Sequence, residues 1–145
     1  MNSPVDKGLR LEVNWHDADV LRICIACWNG MFGGVADAYV EIGKLEQTAQ
    51  KLQGFPRSPT DKREVILGQF GPDTAGGATS LQFFCANGAG HAYVEIKMEA
   101  DQSLAGVTQS TVLVLRIEPA SLDVFVADLL RLEADKYGCA LLRAT

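Results

Sequence analysis

The chain is poor in the groups that most directly declare a chemistry: it has two histidines in 145 residues, aromatics at 8%, and no cluster of lysine or arginine. Thirteen Lys and Arg stand against eighteen Asp and Glu, a net charge of -5. A surface of that sign without a basic stripe repels phosphate backbones, so nucleic acid is excluded as the expected partner and a basic protein is favoured. No hydrophobic run is long enough for a membrane span, and Met1 to Leu11, with Asp6, Lys7 and Arg10, has no apolar signal segment. The expectation is a cytoplasmic protein with no membrane partner. Cys24, Cys27, Cys85 and Cys139 lie in apolar surroundings, which in a reducing compartment reads as free thiols rather than a disulfide framework.

Several motifs are missing on closer reading. Cys24-Ile-Ala-Cys27 has C-x-x-C spacing, but residues three apart on a strand point to opposite faces, so the two sulfurs do not converge on a metal or form a redox pair. His16-Asp17-Ala18-Asp19 lacks the glycine and distal glutamate of a calcium loop and reads as a polar turn. Gly88-Ala89-Gly90 leads into a strand where a dinucleotide fingerprint needs a helix, and no Gly-x-Ser-x-Gly elbow presents a nucleophile. The reading from these residues is no metal, no cofactor and no catalytic set.

What is present is hydrophobic order. At 48% hydrophobic and 21% charged, a chain of this length builds its own core, and residues 1–145 read as one domain. Leu9, Leu11, Val13 and Trp15 alternate with polar neighbours, as do Leu21, Ile23, Ile25 and Cys27, and then Ala36, Ala38, Val40 and Ile42. That period of two predicts three half-buried strands. Leu45, Ala49 and Leu52 fall at helical spacing before the Gly54-Phe55-Pro56 stop.

Strands are then predicted over Glu64 to Phe70, Ser80 to Ala86, Ala92 to Met98 and Ser110 to Glu118. The last is so dense in Val and Leu that it reads as central and buried on both faces. Pro119 opens a helix whose Leu122, Phe125, Val126, Leu129 and Leu132 follow the i, i+3, i+4, i+7 rule to Gly138. The predicted class is α+β: a twisted, mostly antiparallel sheet of about seven strands with two helices on one face, in the order βββα-ββββα. Cys139 to Leu142 adds an optional edge strand, and a two-sheet sandwich satisfies the same alternation.

The pentapeptide Ala-Tyr-Val-Glu-Ile occurs at Ala38 to Ile42 and again at Ala92 to Ile96, each time after a Cys-x-Asn-Gly element. Duplication of a hairpin is one explanation, although the two spacers differ in length. On these strands the outward residues are Asp37, Tyr39 and Glu41 in the first copy and His91, Tyr93 and Glu95 in the second. Brought together, they would combine phenols, carboxylates and an imidazole, which suits the anchoring of a protein partner. A solvated sheet face built for strand propensity is the plainer explanation of the same residues.

The aromatic strand ending at Trp28, the Phe32-Gly33-Gly34 loop, the helix end from Lys51 to Pro56 and the Gly90-His91 strand start together carry a resemblance. The chain resembles small uncharacterised bacterial proteins akin to the WapI-type immunity proteins of polymorphic toxin systems. The resemblance implies a non-enzymatic binder that occludes a partner toxin, and it supplies no catalytic residues. The alternative from another class is a small-ligand binder or hydrolase with a pocket near the Gly-rich loops and His91. A homodimer through exposed strand edges is a further expectation.

Overall fold

A computed structural model of the chain describes residues 6–71, 76–86 and 91–145. Its element order is β1 (Gly8–His16), β2 (Val20–Trp28), β3 (Gly33–Glu41), α1 (Lys44–Leu52), β4 (Lys62–Gly68), β5 (Ala78–Ala86), β6 (His91–Leu104), β7 (Val107–Ile117), α2 (Pro119–Asp135) and β8 (Gly138–Arg143). The class is α+β with two helices, but the strands do not form one seven-stranded sheet. They form two antiparallel sheets of four, ordered β3-β2-β1-β8 and β4-β5-β6-β7. The correction has a plain cause: β8 returns along β1, with Leu11 opposite Ala140, and claims the edge that a single continuous sheet would need.

The alternating residues of both sheets and the apolar stripes of both helices meet in one core, which includes Leu9, Leu21, Ile23, Leu81, Phe83, Ile96, Phe125 and Leu129. The helices therefore do not sit on one face of one sheet; they complete a core that two sheets share. Strand β3 crosses the end of the second sheet. Its Gly34 lies against Thr111 and Met98, its Asp37 carbonyl accepts from Gly77 N at 2.8 Å, and its Ala38 touches Gly68.

Three expectations of burial are corrected. Trp15 is half exposed because the pairing of β1 with β2 shifts between Val13 and Trp15, and one extra residue turns the indole out of phase with Leu9 and Leu11. Ile42 lies beyond the end of β3 and is exposed. Strand β7 is an edge strand, not a central one: Leu113, Leu115 and Ile117 face the core while Val112 and Val114 face outward. Dense β-branched composition satisfies an outward face as well as an inward one, so it does not by itself mean burial on both sides. The polar stretch from Asp101 to Gln109 is also strand: β6 and β7 continue into it as an exposed hairpin turning at Ala105 and Gly106, both with positive φ. The second Asn-Gly turn, at residues 87–90, lies outside the described residues.

All four cysteines are free thiols. Cys24 and Cys27 point to opposite sides of β2, as strand geometry requires. Burial pushes the Cys27 thiol up to about 11, while Cys139, against expectation, is exposed on β8. No helix is long and apolar enough to cross a membrane among the described residues.

Candidate functional site: an edge-lined trough

The fold divides the predicted surface residues into two sets. Asp37, Tyr39 and Glu41 stand on β3, in the first sheet, and His91, Tyr93 and Glu95 stand on β6, in the second. Strand β3 crosses the second sheet at Gly77, which sits between the carbonyls of Asp37 and Glu99. Tyr93 lies six residues before Glu99 on an extended strand, which places it on the order of 20 Å from the crossing. The twin segments therefore build separate surfaces.

The β6 set is a cross-strand arrangement. Tyr93 pairs with Phe84 and stacks on it, with ring centroids 5.7 Å apart at 20°. Lys62 and Arg116 flank this pair in the same row. Glu95 stands opposite Gln82, whose Nε2 donates to Glu64 at 2.7 Å. His91 is exposed at the strand start.

The β3 set is organised by Arg22 on the neighbouring strand. Its guanidinium donates to Asp37 Oδ2 at 2.9 Å and lies 5.9 Å from the centroid of the Tyr39 ring, its register partner. Gly76 fits against that ring so closely that a Cβ there would come within 2.9 Å of Tyr39 Cδ2. Glycine at this position is what allows the phenol to lie beside the loop.

Tyr39 and Glu41 then border a concave feature that the sequence did not announce. Two cavities of about 320 and 370 Å³ share Lys44, Gln47 and Ile66 and so form one trough between α1 and β4, closed at one end by β3. Its helical wall is Lys44, Gln47, Thr48 and Lys51, the i, i+3, i+4, i+7 face of α1. Its strand wall includes Glu64, Val65 and Ile66 in succession. Consecutive strand residues point to alternate faces, so three of them share one wall only by presenting the strand's edge.

Two distant side chains fix the helical wall in place. Helix α1 begins at Gly43 with no side-chain cap of its own; instead Glu133 of α2, buried, accepts from Gly43 N, Leu45 N and Glu46 N at 2.9, 3.1 and 3.4 Å. A carboxylate is well matched to the positive end of a helix. At the other end Arg63 of β4 donates to the carbonyls of Lys51 and Gln53 at 3.0 and 2.7 Å while Asp61 holds it at 2.8 Å. The Arg63 hydrogen bond is the main reason that the Asp61 carboxyl titrates below its ordinary range, with the Arg57 backbone N–H assisting. The helix is thus tied to α2 at its start and to β4 at its end. The first tie was hidden in sequence, since 88 residues separate Glu133 from Leu45.

The charged groups of the trough are of both signs. Among the described residues Lys44, Lys51 and Glu41 make no salt bridge. No group of three or more His, Cys, Asp or Glu among them is placed to hold a metal. The trough does not include His91. No protein-family model matches this chain, and no curated protein or solved structure matches it.

Proposed function

We propose that this protein is a non-enzymatic protein-binding module, in its most specific form an immunity-type inhibitor that occludes a partner toxin, and that it engages its partner at the trough bordered by Tyr39 and Glu41. One observation carries the reading: a concave surface where an exposed aromatic, charges without salt bridges among the described residues and the open edge of a strand converge. A phenol supplies large contact area with a polar tip and loses little rotamer entropy on docking. The net charge of -5 speeds encounter with a basic protein, whereas specificity is set locally by the trough.

The test is affinity capture from cells of the source organism, followed by reconstitution with the purified partner. Tyr39→Ala is expected to weaken the reconstituted complex at least about tenfold, as loss of an interface anchor does, while Tyr93→Ala leaves it unchanged. Equal binding by the Tyr39→Ala variant, or a loss confined to Tyr93→Ala, would remove the trough from the interface.

A further inference from the structure

The four strands at the sheet margins are not treated alike. Strand β8 packs beside α2. The margin of β7 is met by Thr145 N, which donates to Arg116 O at 2.9 Å, by Asn29 Nδ2, which donates to Val114 O at 3.2 Å, and by the bridge from Ile117 to Ala144. The Asp37 carbonyl of β3 is taken by Gly77. Strand β4 differs: among the described residues Lys62 to Gly68 exchange backbone hydrogen bonds with β5 and with no other element. Native proteins blunt open edges with charge, bulges or a covering element, because each presents a row of unmet N–H and C=O groups to which another chain can pair.

This edge is also the floor of the trough. From Glu64 to Gly68 it runs on the order of 13 Å, room for about four residues of extended chain. At its far end β3 turns more backbone toward it. Asp37 O points away from β2, and in an antiparallel strand alternate residues direct their N–H and C=O to the same side, so Tyr39 and Glu41 present theirs to the trough as well. The opposite wall carries Lys44 and Lys51 on one helical face, two cations without salt bridges among the described residues, while the carboxylates of the lining, Glu41 and Glu64, stand on the strands.

We infer that β4 is a docking edge for an extended, acidic segment of the partner protein, which adds as a strand beside Glu64 to Ile66 and turns its carboxylates toward Lys44 and Lys51. Backbone pairing gives such a mode its affinity and the side chains of the facing helix give it selectivity. Alternation divides the incoming strand into two faces. One continues the outer face of the second sheet, where Ile66 is exposed, and takes an apolar residue; the other meets the lysines and takes a carboxylate. The inference rests on the protein-binding reading above and names the form and charge of what binds. A partner with a basic surface overall is compatible with it, since encounter depends on the whole field and docking on the local wall.

The test uses the full chain and a labelled, end-blocked octapeptide alternating Val and Glu, with binding followed by fluorescence anisotropy. The expected result is saturable binding, weakened at least about tenfold when Lys replaces Glu in the peptide, and the preference reversed in a Lys44→Glu, Lys51→Glu variant, as charge complementarity requires. Lys51 is exposed and Lys44 half-buried, and circular dichroism checks that this variant keeps the fold. N-methylation of one alternate set of peptide amides is expected to abolish binding while the other set tolerates it, because a strand pairs through one side only. Equal binding of all peptides, no binding of the Val–Glu peptide at millimolar concentration, or sedimentation as a dimer that excludes the peptide would overturn the inference. Tyr39-dependent capture of the partner that is indifferent to the Lys44/Lys51 variant would also overturn it while leaving the protein-binding reading intact.

Discussion

At the scale of single residues, two charged side chains far apart in sequence set the position of the trough wall, and each makes a separate prediction. Glu133 bonds three backbone donors through one oxygen, while Oε2 has no hydrogen-bond partner among the described residues. Replacement by Gln keeps the accepting oxygen and lowers the cost of burying charge, so Glu133→Gln is expected to stay within about 1 kcal/mol of the native stability. Glu133→Ala strands the Gly43 and Leu45 donors and is expected to lose about 1–3 kcal/mol in urea denaturation. Asp61 makes the second prediction through pH. Its folded carboxyl titrates below its unfolded value, chiefly through Arg63, so its contribution is full above the ordinary carboxylate range and is lost as pH falls through the depressed value. Asp61→Asn is therefore expected to destabilise at neutral pH, with the difference from native shrinking as pH falls below the ordinary carboxylate range. A constant difference across that range would show that Asp61 does not act through its charge.

At the scale of elements, period-two and helical patterns were legible where one face is buried. Leu21, Ile23 and Ile25 on β2 and Leu122, Phe125, Leu129 and Leu132 on α2 are all in the core, as their spacing requires. Phase was lost at the β1 irregularity, since no residue type near Trp15 signals an inserted residue. Burial was overstated for β7, where Val112 and Val114 are outward. The pattern left one sheet and two sheets both open, because alternation records which face is apolar, not which neighbour lies across it. The outward positions of Tyr39, Glu41 and His91 were legible; the separation of the β3 and β6 sets was not, because identical pentapeptides carry no information on where their strands cross. The trough was hidden more deeply. Lys44, Lys51 and Glu64 read as ordinary solvated charges, and only the fold brings a helix face beside a bare strand edge.

At the scale of the whole molecule, the two sheets, both helices and the crossing of β3 produce a cavity-bearing margin. On that margin the exposed phenol, the two lysines and the unpaired edge lie together. The remaining surface is acidic on balance, with its Tyr93 and Phe84 stack held apart on the second sheet. A protein-binding role makes different demands on these regions: rigid walls and open backbone where the partner docks, and only solvated packing elsewhere. The most direct test is amide hydrogen exchange on the protein alone and bound to the partner recovered by capture. Slowed exchange centred on Tyr39 to Glu41 and Glu64 to Ile66 is the predicted result. Slowing confined to His91 to Glu95, or none in either segment, would contradict the account.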